Sequence, residues 1–511
     1  MRSILVLVGL SSAFFFACSS DSTSSGAPTA GSAGTAGAGG ASGNAGSGGS
    51  AASGGSAASG GSAASGGSAG SSGDAGSSGS GGDGGSAGSS GSTGSGGAGA
   101  APGTPLLDRI TVTDLTTPEG VKPGVSNWRI WRSVGLAVAP VYTAPLANCG
   151  TLICITTGSN DAPTPRVLRL GPDDKLIDTR TLDAGRECRG IAAEPDGHYA
   201  VLLFDDAGDR ITMKRFDAAG AENWARDLVN SDNKPTDFRI GESRMDFGNG
   251  KYGAYYHVHS DSGHEGDTLK WVDAAAGTET TQWGWGCSHS MSNVLRFHPT
   301  ANTFLPACVT DCYPGTSGDF ATQSIGGIYL NHDDGKVLDV DAGCNGRVAA
   351  ELGSAAAAPS GHKLVFNAHQ NPAAHGQSSY NADTMNQDIG FTGTSAGFDA
   401  SPVVWLTNTP DADEADSTIA RWQPAGESAE QYVVGWRESA QSYKLALVDG
   451  AGAFIAQPID VGTRAKWGER DDPFREHHNG DVVWAWFDAA RSTTLHFARL
   501  SSGVSRECAA F

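Results

Sequence analysis

IAAEPDGHYAVLLFDDAGDRITMKRFDAAGAENWARDL, residues 191–228, and SRMDFGNGKYGAYYHVHSDSGHEGDTLKWVDAAAGTETTQW, residues 243–283, share a syntax rather than a wording. Each opens on a short strand, turns at Asp-Gly or Asn-Gly and runs through a more apolar strand. Each then crosses a loop and reaches a third strand that ends in FDAAG (Phe216–Gly220) or VDAAAG (Val272–Gly277) before a fourth. Asn-Gly and Asp-Gly dipeptides favour tight hairpins because both residues tolerate positive φ. The same punctuation recurs at Pro359-Ser360-Gly361, at Asn479-Gly480 and in VDGAG (Val448–Gly452).

Spacing these signals along the chain gives units at 133–183, 188–228, 241–283, 288–341, 346–407, 417–462 and 469–503. Seven four-stranded units in one chain predict an all-β, seven-bladed β-propeller. A pair of β-sandwiches is the runner-up. ITVTDL (Ile110–Leu115) precedes the first unit, and the last is one strand short after Leu500. This segment is expected to complete the last blade and hide the edges of an open ring.

The N-terminus carries Arg2, an apolar run from Ile4 to Phe16 and a small residue, Ala17, before Cys18, the pattern of an export signal. The run is shorter than the roughly 20 residues that span a bilayer. Phe15-Phe16-Ala17-Cys18 followed by Ser19-Ser20 resembles the lipobox of bacterial surface lipoproteins. The resemblance implies a signal peptide over 1–17, acylation of Cys18 and, with Ser19 after the cysteine, an outer-membrane or cell-surface location. An ordinary cleaved signal is the alternative. Residues 18–103 are almost entirely Gly, Ser, Ala and Thr, including a GGSAAS repeat from Gly48 to Ser65, too poor in apolar bulk to offset the entropy of ordering. They form a disordered tether, leaving 104–511 as the propeller domain.

That domain carries 33 basic and 52 acidic residues, a balance of -19. Such a surface excludes nucleic acid and anionic lipid as partners, so contact with the membrane is through the anchor alone. Eight cysteines follow Cys18, an even number in an exported chain, which reads as disulfides. Proximity pairs Cys149 with Cys154 and Cys308 with Cys312, and leaves Cys188, Cys287, Cys344 and Cys508 open.

Tyr255 to His289 concentrates histidines, carboxylates and tryptophans. In a propeller the loops between second and third strands share a face with the connections between blades, and that face normally carries function. His257 and His259, two apart on a strand, point to one side and with His264 are the candidate metal ligands. Glu265 and Asp267 stand by in the loop, and Zn, Cu or Ca are the divalent ions considered. Trp283 and Trp285, spaced by glycine, offer a stacking platform for sugar rings. Arg132, Arg189, Arg244, His289, Arg347 and Arg470 fall near the starts of innermost strands, where a basic ring around the axis would suit a carboxylate or sulfate. Pairing with Glu187, Glu242, Asp246 or Asp471 is the bland alternative. Asp411, Asp413, Glu414 and Asp416 form an acidic run without the glycine of an EF-hand loop. His298, His477 and His478 fall on the opposite face and are set aside.

No HExxH or phosphate-binding loop is present. The leading expectation is a lipid-anchored binding module for a glycan or an extracellular protein. Some polysaccharide lyases are seven-bladed propellers that use His and Tyr with a neutralising Arg or a metal, and Tyr255, His257, His289 and Arg244 are similar in residue type. A non-catalytic scaffold of a surface complex is the third expectation.

Overall fold

The computed structural model describes residues 104–504 except 125–135, 206–209, 229–238, 260–264, 284–286, 288–291, 311–326, 332–334, 340–349, 360, 371–385 and 469–471. Within these bounds the strands assemble into seven separate four-stranded antiparallel sheets. In six of them the strands pair in chain order. The seventh runs Arg475–Glu476, Val482–Phe487, Thr494–Leu500 and then, from the other end of the chain, Ile110–Thr116. The fold is a seven-bladed β-propeller. The expected clasp is present: Ile110 to Thr116 pairs residue for residue with Leu500 to Thr494.

There is no single core. Seven apolar clusters form instead, each filling the gap between two neighbouring blades. Second strands therefore have both faces buried, and Val482–Phe487, VVWAWF, is buried at every position. The clasp joins two of these gaps, with Ile110 in the cluster between blades six and seven and Leu115 in that between seven and one.

Hairpin chemistry follows the sequence signals. Asn249 and Gly250 both have positive φ (49° and 67°), closing a two-residue turn between Gly248 and Lys251. The repeated aspartate of the third-to-fourth turn caps it: Asp217, Asp273 and Asp449 accept backbone N–H groups of Ala221, Ala276 and Ala451 at 2.7, 2.7 and 2.9 Å. The glycine that follows packs on the preceding blade. A Cβ on Gly277 would lie 2.9 Å from Trp224, and one on Gly452 2.9 Å from Phe391.

Hydroxyls stitch blades together near the axis. Thr156 accepts from the Cys188 N–H at 2.9 Å, Ser292 from Leu352 at 2.8 Å and Ser354 from Ile419 at 2.7 Å, while Ser243 donates to the Arg189 carbonyl at 2.6 Å. A disulfide does the same, and the bonded pairs correct the proximity pairing. Cys154 of blade one joins Cys188 of blade two, and Cys287 joins Cys308 of blade four. Cys149 is disulfide-bonded, but not to Cys154, and Cys308 is not available to Cys312. Packing of blades one and two brings the first pair's Cα atoms to 6.1 Å across 34 residues, and the connection entering blade four brings the second pair's to 6.5 Å across 21, so closeness in sequence is a poor guide.

Ring closure has an ionic component. Arg499 of blade seven, fully buried, reaches Asp174 in a turn of blade one at 2.6 Å and Asp481 of its own blade at 3.1 Å. Removing one partner of such a group leaves uncompensated buried charge, at a cost of about 3–5 kcal/mol. Arg499→Ala is expected to lose stability on that scale in urea unfolding. Deleting Ile110–Thr116 is expected to lower the melting temperature of the whole domain, and an unchanged melt would contradict the clasp.

Candidate functional site

Tyr255 and His257, two apart on strand Lys251–His259, share a face, and the register sets His257 opposite Asp267. Asp267 thus belongs to strand Glu265–Asp273 rather than to the loop expected from the sequence. The Tyr255 hydroxyl donates to Asp267 at 2.7 Å, and His257 Nδ1 lies 3.4 Å from the other carboxylate oxygen. Burial, reinforced by the Asp267 charge, holds the phenol well above its ordinary pKa, so Tyr255 stays protonated. The Trp283 indole meets the Tyr255 ring edge-on at 5.9 Å. The stretch does coalesce, but into a wedge between blades three and four: Tyr255 and Asp267 are 1% and 0% exposed.

For metal binding, Asp267, Cys287 and Cys308 have donor atoms within 4.8 Å of one another. The two sulfurs are joined, however, and it is thiolates that ligate zinc. His264, Trp285, His289, Arg347, Arg132, Arg470 and Cys18 lie outside the described residues, as does the side chain of His259.

Arg189 and Arg244 sit on the innermost strands of blades two and three, both buried. Arg189 pairs with Glu187 at 2.7 Å, and Glu187 takes Lys122 at 2.8 Å. Burial raises the Glu187 pKa, but the two cations outweigh it and the carboxyl stays below its usual range. Arg244 donates to the Ser243 carbonyl at 2.9 Å. Arg189 thus follows the ion-pair alternative rather than lining an open ring. In the acidic run, Asp416 pairs with Arg437 and Glu414 accepts from Thr409, so these oxygens serve their own blades.

The open site is elsewhere. A cavity of about 400 Å³ lies on the propeller axis, at the ends of the innermost strands where they turn outward, and all seven blades line it. Arg296 and Arg475 stand in a square with Asp246 and Asp472: Arg475 lies 3.3 Å from Asp246 and 3.2 Å from Asp472, and Arg296 is paired with both acids. Arg296 also donates to the Ala355 carbonyl at 2.8 Å, and Asp246 accepts the Phe297 N–H at 2.8 Å. The square ties blades three, four, five and seven together and is internally neutral.

Two further charged groups in the cavity stay outside that square. Arg421 donates to Gln423 at 3.2 Å; among the described residues it has no carboxylate at ion-pair distance, and its buried Nε has no partner. Glu476 faces the water of the cavity although protein surrounds it. Burial pushes its carboxyl up to about 7, against the opposing pull of Arg421 and Arg296. His477 and His478 line the same cavity. The strand order puts them where the sequence did, on first-to-second turns, but the face set aside is the one with the open axial site. Its residues are drawn from all seven blades, in groups about 50 residues apart, and only Phe474 to His478 in the last blade forms a dense run. A charge beside a phenylalanine just before the turn, Asp246-Phe247 and Arg296-Phe297, is the signal that was available.

No protein-family model matches the chain, and no curated protein does. Among solved structures, polysaccharide lyase Uly1 aligns with TM-score 0.45 and 10% identity over 76% of this chain and 99% of that one. The Dos1 propeller aligns with TM-score 0.39 and 10% identity over 75% and 95%. The β-propeller domain of the Trilobed protease from Pyrococcus furiosus gives 0.38 and 10% over 70% and 95%. The likeness at such identities is one of fold alone.

The Glu476 shift makes a stability prediction. The folded state holds this proton up to about pH 7, whereas the ordinary value is 4.5, so the contribution is complete below 4.5 and lost as pH rises through 7. Glu476→Gln, neutral at every pH, is expected to match the parent at pH 4 and exceed it at pH 8 in urea midpoints.

Proposed function

We propose that this chain is a binding module, exported and held at the cell surface by an acylated Cys18 and a Gly/Ser/Ala tether, whose axial cavity takes the carboxylate of an acidic sugar. The observation that carries this proposal is the pair left over from the axial charge square. Among the described residues Arg421 is a guanidinium with no carboxylate partner, and Glu476 is a carboxyl poised to give up or keep a proton near neutrality, both in one cavity. A uronate carboxylate would pair with Arg421 and accept a hydrogen bond from protonated Glu476, completing both. About 400 Å³ lies within the usual range of small-molecule sites, and the alanines and phenylalanines of the wall give the sugar ring an apolar face.

The polysaccharide-lyase reading drew on Tyr255, His257, His289 and Arg244 by residue type, and His289 lies outside the described residues. Tyr255 is buried against Asp267, with its proton held more tightly than in a free tyrosine.

Isothermal titration of the exported chain with uronate oligosaccharides, against neutral counterparts of equal length, tests the assignment. Arg421→Gln is expected to weaken uronate binding at least tenfold, about 1.4 kcal/mol or more. Wild-type affinity should fall as pH rises through about 7, where Glu476 ionises beside the incoming anion, and Glu476→Gln should abolish that dependence. Equal binding of acidic and neutral sugars would overturn the carboxylate assignment. No glycan binding at all would favour a protein partner.

A further inference from the structure

A second cavity, of about 180 Å³, lies between blades one and two. Arg169 reaches it from strand Pro163–Leu170, Arg180 from the outer strand Leu176–Thr181, and Tyr199 from the start of Tyr199–Asp205 in the next blade. Arg180 is held from two sides. Its guanidinium lies 4.7 Å over the Phe216 ring, and the turn at Gly220, with φ of 90°, passes so close that a Cβ there would meet Arg180 Nη1 at 2.3 Å. Tyr199 stacks on the same Phe216 at 5.1 Å, which sets the phenol beside the guanidinium.

Among the described residues neither Arg169 nor Arg180 reaches a carboxylate at ion-pair distance, whereas Arg166, Arg215, Arg296, Arg475 and Arg499 each do. This holds although Asp178 stands directly opposite Arg169 in the strand register and lines the cavity. Burial raises the pKa of the Tyr199 phenol against the pull of Arg180 and Arg169, with smaller pushes from Asp178 and Asp217, and leaves the hydroxyl a donor. Two guanidiniums that line one cleft without an ion-pair partner among the described residues stand out in a domain with 52 acidic and 33 basic residues.

We propose that this cleft is an oxyanion subsite that takes a sulfate ester of a polysaccharide, held by Arg169 and Arg180 with the Tyr199 hydroxyl as third donor. Donors from three different strands suit a tetrahedral group, whose oxygens point apart; a planar carboxylate is satisfied by one guanidinium fork. The cleft opens beside the third-to-fourth turn of blade two, which in an antiparallel meander is on the same face as the first-to-second turns around the axial cavity. The subsite stands on its own residues, whether or not the axial cavity binds uronate.

The test is titration of the full exported chain with a sulfated disaccharide and its desulfated counterpart, together with melts in sodium sulfate and sodium chloride of equal ionic strength. The sulfated sugar is expected to bind one per cleft and sulfate to raise the melting temperature more than chloride. Arg169→Gln and Arg180→Gln should each weaken binding at least tenfold, Tyr199→Phe a few-fold, and Asp178→Asn should tighten it. Arg421→Gln, in the axial cavity, should leave this binding unchanged. Should Arg180→Gln unfold through its Phe216 contact, Arg169→Gln, which has no such packing role, decides. Equal binding of the desulfated sugar, equal effects of the two salts, or undiminished binding by Arg169→Gln would overturn the subsite.

Discussion

A ring of sheets hides all its edges only if it closes, and here closure is made by one strand taken from the far end of the chain. Ile110–Thr116 donates a full edge to Thr494–Leu500 and places Ile110 and Leu115 in two separate interblade clusters. Without it the last sheet would expose a row of unpaired N–H and C=O groups, and both gaps would lose part of their apolar filling. Arg499, shared between Asp174 of blade one and Asp481 of blade seven, adds a directional constraint at the same seam. A buried ion pair is weak evidence for net stability, yet its geometry tolerates little rotation between the blades it joins. Register at the seam is therefore specified twice, once by hydrogen bonds and once by charge.

Closure also explains why the cores are distributed. Each blade is a thin sheet that must bury both faces, so its stability is borrowed from its neighbours on either side. The small hydroxyl residues near the axis, Thr156, Ser243, Ser292 and Ser354, and the disulfide between Cys154 and Cys188 act at these joints, not within blades. A ring made of such joints keeps its axis as a by-product. The innermost strands cannot pair across it, and their turning ends leave the cavity that Arg296, Arg421 and Arg475 line.

The blade count and the clasp were legible because each rests on local chemistry repeated along the chain: an Asp that caps a turn, a Gly that packs on the previous blade, an Asn-Gly hairpin. The disulfides were not legible, since Cys154 and Cys188 meet through blade packing that spacing does not encode. The site was half legible. Tyr255, His257, Asp267 and Trp283 do gather, but density of polar and aromatic residues marks a satisfied buried cluster as readily as a ligand site, and only burial separates the two. Asp246, Arg296, Arg421 and Arg475 are far apart in sequence and become a site only once the ring is closed.

That the two basic sites are recessed matters for an acidic protein. A domain with a balance of -19 repels a polyanion at long range, so attraction must come from contacts made after approach, at distances where screening by salt is weak. Arg421 on the axis and Arg180 on Phe216 both lie in concave sites where water is partly displaced, and a charge-assisted hydrogen bond there outweighs one on the open surface. Added salt then lowers the long-range repulsion more than it lowers the contact energy. If the proposed recesses take an acidic glycan, its binding should strengthen, or hold, as ionic strength rises, the opposite of what a basic surface gives. The sign of that salt dependence separates recognition in these recesses from adsorption to any exposed basic patch.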